Sequence, residues 1–179
     1  MIAPSSWRRW GRLALLALLT LALGPVVYTA QQGIAPDDLA AFARYKRFTT
    51  YDQHFTKYSK RFFGVGFDWH YFKAQAVAES NLREDARSPV GAVGVMQIMP
   101  RTARDEFGVD EDELWDTRLN IQLGIGFLAQ LIDRYKGRWD LALSHYNAGS
   151  VRGVGAHARI LPVTRRYVES VRRWERNYT

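Results

Sequence analysis

The sequence predicts a mainly α-helical protein with one compact domain, and three observations carry that prediction. Apolar and aromatic residues recur at helical spacing through most of the chain beyond residue 37. No stretch shows the sustained alternation of a half-buried strand. Asp and Pro stand where helices would start, and Gly or Asn where they would stop. With 179 residues, 47% of them hydrophobic, the chain is sized for one real core plus short extras.

The elements follow in order. "GIAPDD" (Gly33 to Asp38) reads as a linker ending in a helix cap. Asp37 to Phe48 and Thr49 to Phe63 then carry apolar residues at helical spacing, and "GVG" (Gly64 to Gly66) breaks the run. Asp68 can cap a helix from about Trp69 to Glu79. "SPVGAVG" (Ser88 to Gly94) is too dense in Pro and Gly for a helix, leaving room for one small hairpin around Ser88 to Met96. Pro100 suits the first position of a short helix to about Phe107. Asp116 caps a long helix from Thr117 to Lys136, with Ile121, Gly124, Leu128 and Leu131 on one side. Gly124 and Gly126 weaken that helix, so close packing against a neighbour is their expected reason. A helix from about Trp139 to Tyr146 ends at "NAG" (Asn147 to Gly149). A loop follows, and Pro162 opens a last helix ending near Asn177.

The N-terminus bounds where the domain works. Arg8, Arg9 and Arg12 precede an uncharged apolar run, Leu13 to Ala30, interrupted by Gly24 and Pro25. That is a signal peptide or a signal anchor, close to the ~17–25 residues that span a bilayer. Tyr28 is bulky where cleavage after Ala30 wants a small side chain, which favours the uncleaved anchor. The arginines stay in the cytoplasm, so the chain beyond about Gln31 is exported. The expected division is 1–30 signal or anchor, 31–48 linker and leading helix, and 49–179 folded domain. There is no cysteine, which excludes disulfides, thiolate metal sites and a lipidated cysteine. The formal net charge of +7 favours anionic surfaces in general. Export argues against nucleic acid as the partner.

One acid stands out. On the helix from Trp69, Phe72, Ala76 and Glu79 share a face that is apolar until it reaches the carboxyl. Partial burial and the negative end of a helix both favour the protonated form, which suits a general acid near neutral pH. Gly91 and Gly94 in the following loop let backbone approach a ligand closely, and Met96, Gln97 and Met99 suit a sugar groove. Met96 and Met99, taken alone, are more often a core pair than a cleft pair.

"AESNLREDARSPVGAVGVMQIMPRTA", then "LSHYNAG", then "LPVTRRYV" together resemble the lytic transglycosylase domain of soluble and membrane-bound peptidoglycan-cleaving enzymes. The resemblance covers about Tyr51 to Trp174, and "FDWHYFKAQAVAES" is most similar to the membrane-associated branch. It implies a lysozyme-like fold of the goose type. It implies Glu79 as the catalytic acid and base, with Ser80 structural. Ser88 would lie near Glu79 or the sugar, and Gln97 and Met99 would line the cleft. Tyr146 would position or polarise the acid, Asn147 would support that helix end, and Tyr167 would close the far wall. Two positions depart from the family's pattern: Val163 stands where many members carry a second acid, and His145 stands beside the cleft, where an outward-facing helix residue without a role is expected.

The resemblance further implies cleavage of the β-1,4 bond between N-acetylmuramic acid and N-acetylglucosamine by a single acid. The muramyl C6 hydroxyl would attack C1 and leave a 1,6-anhydro end. Glu84 and Asp85 sit in a polar loop and offer no convincing second carboxylate. No metal or cofactor is expected. The expected partners are glycan strands and, through the N-terminal segment, the inner membrane, on its periplasmic side. A hydrolytic muramidase on the same fold and a non-catalytic wall-binding module are the alternatives.

Overall fold

The computed structural model describes residue 43 and residues 45–178. The apolar segment and most of the linker and leading helix lie outside the described residues. Among the described residues six α-helices carry the architecture: α1 (Asp52–Phe63), α2 (His70–Ser80), α3 (Pro100–Phe107), α4 (Thr117–Arg134), α5 (Trp139–Ala148) and α6 (Arg165–Tyr178). Short 3-10 turns at Glu111–Trp115, Gly155–His157 and Pro162–Thr164 join them. Among the described residues no helix is long and apolar enough to cross a membrane.

The spine is α2. Residues Tyr71 to Ala78 are buried without interruption, so this helix has no solvated face and sits inside the bundle. It packs most extensively against α6, while α1 lies on α4, α4 on α5, and α5 on α6. Phe55, Phe72, Leu128 and Trp174 are fully buried where these helices meet, each contributing roughly 1.5–3 kcal/mol. The one cation on the spine, Lys73, is buried and paired: its ammonium donates to Asp52 Oδ1 at 2.8 Å and to the Phe48 carbonyl.

Helix ends follow the expected chemistry with small shifts. Asp68 Oδ1 accepts the His70 N–H at 3.0 Å, so α2 starts one residue later than expected. It also runs one residue past Glu79, to Ser80, before Asn81 and Leu82 turn left-handed. Asp116 accepts the Leu119 N–H at 2.9 Å and opens α4 as expected. α4 stops at Arg134 because Lys136 (φ 54°) and Gly137 (φ 80°) reverse the chain. α5 continues to Ala148, with Gly149 as its left-handed cap. Pro162 opens a 3-10 turn, and the last helix begins at Arg165. The loop between α5 and α6 holds the 3-10 turn Gly155–His157 and a single bridge, Arg152 to Arg159.

The hairpin expected around Ser88 to Met96 takes the form of isolated antiparallel bridges, Arg87 to Val93 and Val93 to Ile98. Gly91 (φ 92°), Gly94 (φ 76°) and Gln97 (φ 48°) turn the chain too often for a ladder to grow.

Candidate active site

Glu79 enters the site from the last turn of α2. Its carboxyl lies where the helix leaves the core, with part of the residue open to a groove. Burial pushes its pKa up to about 8, against the opposing pull of a hydrogen bond from Tyr167. That bond, from the Tyr167 hydroxyl to Oε1, is 2.5 Å long. Oε2 takes no hydrogen bond from any described residue, so it is the oxygen free to carry the proton. No other carboxylate contributes to the shift, so Glu79 is electrostatically a lone acid.

The groove has two arms, and Glu79 and Gln97 line both. The smaller arm adds Arg83, Arg87, Ser88 and Pro89. The larger arm, about 560 Å³, adds Met99, Phe127, Tyr146 and Asn147. The acid therefore sits where the two arms meet. The groove's other carboxylates, Asp105 and Glu106, stand at exposed positions on α3.

The expected residues divide by what they touch. The Tyr146 hydroxyl donates to the Met96 carbonyl at 2.9 Å, and burial followed by the nearby Glu79 charge raises its pKa well above the ordinary value. Tyr167 behaves likewise, with burial the larger cause, so both phenols keep their protons. Tyr146 thus bridges to the loop, while Tyr167 bonds the acid itself. Ser88 Oγ accepts the Ala92 N–H at 2.9 Å and faces the smaller arm. Gln97 is fixed by donating to the Gly94 carbonyl at 2.9 Å and the Ala86 carbonyl at 3.2 Å. Met99 is 37% exposed on the groove wall, whereas Met96 is fully buried and belongs to the core, packed on Gly124. Val163 is 44% exposed and lines neither arm.

Several supporting residues escaped the sequence reading. Asn120 on α4 is fully buried. Its Oδ1 accepts the Met96 N–H at 2.8 Å, and its Nδ2 donates to the carbonyls of Val93 (2.9 Å) and Leu114 (3.1 Å). It therefore ties the groove loop to the bundle, and Gly94 is required beside it because a Cβ there would lie 2.5 Å from Asn120 Nδ2. Ser80 Oγ donates to the Val95 carbonyl at 2.8 Å and holds the same loop from the other side. Gln75 Nε2 donates to the Tyr167 hydroxyl at 3.4 Å, steering the phenol toward Glu79. His145, expected to face outward, is half-buried in the larger arm with Nδ1 2.7 Å from the Tyr135 hydroxyl, and burial lowers its pKa. These contacts join residues 6 to 92 positions apart, and no local pattern in the sequence signals them.

The description "Transglycosylase SLT domain" belongs to the family model that matches residues 60–157, which span every residue lining the two arms; Tyr167 lies beyond the match. The chain belongs to this family. Among SLT-domain relatives, the soluble lytic murein transglycosylase of Salmonella typhimurium (strain LT2) is 32% identical over 109 residues, covering 57% of this chain and 16% of the relative. The membrane-bound lytic murein transglycosylase F of Desulfosudis oleivorans is 36% identical over 90 residues, covering 47% of this chain and 19% of the relative. The chain thus spans less than a fifth of either protein's length. An inactive variant of the Pseudomonas aeruginosa lytic transglycosylase Slt superposes with a TM-score of 0.59 at 27% identity, over 73% of this chain and 24% of that one. The 70-kDa soluble lytic transglycosylase in complex with bulgecin A gives 0.52 at 27%, over 77% and 20%. The mainly helical, lysozyme-like SLT fold expected from the sequence is the fold observed.

Proposed function

We propose that this domain cleaves the β-1,4 bond between N-acetylmuramic acid and N-acetylglucosamine in peptidoglycan, on the periplasmic side of the bacterial inner membrane. The observation that carries the reading is a lone, desolvated carboxyl at the junction of a two-armed groove. With a pKa of about 8, Glu79 is mostly protonated at neutral pH and can donate to the glycosidic oxygen. The Tyr167 hydrogen bond favours the ionised form and so eases the donation, while burial, which favours the protonated form, eases the return of a proton to the carboxylate.

Two-carboxylate glycosidases set a nucleophile or base opposite the acid. Glu79 feels no such partner, which favours a nucleophile supplied by the substrate. In this reading the acetamido group stabilises the oxocarbenium-like centre. Glu79, now a carboxylate, takes the proton of the muramyl C6 hydroxyl as that oxygen bonds to C1. The bond to the departing sugar breaks, a 1,6-anhydro end forms, and no water is consumed. Ser88, Gln97, Met99, Tyr146 and Asn147 line the groove and bind the strand, and Tyr167 positions the acid. The names of the relatives, lytic murein transglycosylases, support this assignment.

Digestion of purified sacculi with wild type and Glu79→Gln, followed by mass analysis, tests it. Anhydro-muropeptides from the wild type alone are expected. Products heavier by one water would identify a hydrolytic muramidase, and unchanged function in Glu79→Gln would identify a binding module.

A further inference from the structure

Beside the first turn of α5, the chain presents a second surface that the proposed reaction does not use. The tight reversal between α4 and α5 places Arg134, Lys136 and Arg138 around a hollow of about 540 Å³. Leu141 and Val151 form part of its floor, and no carboxylate lines it. Val154, on the loop that closes the hollow, is 83% exposed. An aliphatic side chain on a loop beside three cations pairs apolar contact with positive charge, the combination that a headgroup region accommodates.

A second tip stands at the same end of α5. Trp139, next to Arg138, stacks on Phe67 at 5.7 Å and lies 5.6 Å from Phe63. These two aromatics flank the Gly64–Gly66 turn, whose Val65 is 85% exposed. Lys60 and Arg61 precede that turn in the last turn of α1. Two acids stand near these cations: Asp133, exposed and next to Arg134, and Asp140, which reaches Arg138 at 3.8 Å.

We infer that this face rests on an anionic lipid bilayer, with Val65 and Val154 dipping among the headgroups and Arg134, Lys136 and Arg138 pairing with lipid phosphates. Apolar tips between cations fit a headgroup–acyl boundary, whereas a polyanionic polymer offers nothing for the valines.

The absence of cysteine makes the test direct. The full chain carrying Val154→Cys is labelled with an environment-sensitive fluorophore and reconstituted into phosphatidylcholine bilayers with or without phosphatidylglycerol. A blue shift, and quenching by lipid-borne quenchers, is expected only with the anionic lipid. Both should vanish in high salt and in a background of Arg134→Glu, Lys136→Glu and Arg138→Glu. A probe at the exposed position of Asp112→Cys, in the 3-10 turn at Glu111–Trp115, should not shift. Identical spectra in the two bilayers, or equal shifts at both positions, overturn the proposal. So does an equal shift with soluble polyphosphate and no anionic lipid, which would assign the face to a polyanion. The comparison of bilayers on the otherwise wild-type background decides the matter even if the triple variant folds poorly.

Discussion

Glu79 holds its proton to about pH 8 in the folded chain and only to about 4.5 in an ordinary environment. Two predictions follow from that gap. Between these values unfolding releases a proton, so the carboxyl's contribution to stability falls as pH rises and levels off above 8. Glu79→Gln removes this loss: it should melt higher than wild type at pH 9 by on the order of 2 kcal/mol, with little difference at pH 4, while its activity drops at least about 100-fold. Tyr167→Phe deletes the hydrogen bond that favours ionisation. Its pH–rate profile should lose activity about tenfold at pH 7 while its alkaline limb moves upward; an unmoved limb would show that Tyr167 does not tune the acid. The acid was legible in the sequence because its neighbours on the helix, Phe72 and Ala76, announce burial. The bond to Tyr167 was not, since no local pattern predicts which of two distant phenols will reach a carboxyl.

At the scale of elements, the groove depends on one loop clamped between two helices. Gly124 on α4 lets Met96 seat against the helix: a Cβ there would lie 2.6 Å from the Met96 Cβ. Gly124→Ala should therefore cost about 1–3 kcal/mol by urea denaturation and slow turnover through a displaced Gln97. Asn120→Leu strands the Met96 N–H and the Val93 and Leu114 carbonyls, for a loss of about 3 kcal/mol or more. The glycines advertised a close neighbour, and the sequence reading used that signal for Gly124 and Gly126. Asn120 advertised nothing: it stands amid apolar residues of a long helix, and its three partners are carbonyls and an amide any residue type could supply. Helix starts were legible where Asp68 and Asp116 cap them. The small hairpin expected around Ser88 to Met96 is reduced to isolated bridges, because Gly91, Gly94 and Gln97 turn the backbone before strands can grow.

Across the whole molecule, α2 and α6 are the pair on which the rest is arranged, and each brings one half of the acid's environment. Trp174 is fully buried on α6 and meets Tyr45 edge-on at 5.5 Å. Trp174→Ala should cost about 3–5 kcal/mol, and activity should fall at temperatures below its melting point because Tyr167 rides on the same helix. Comparing activity loss with circular dichroism across temperature checks this. Glu79 and Tyr167 lie 88 positions apart, so a nascent chain that has emerged only as far as the acid carries an ordinary, solvated glutamate. On the proposed reading the proton donor is complete only once α6 has emerged and docked on α2, and a chain stopped short of it lacks the Tyr167 hydroxyl.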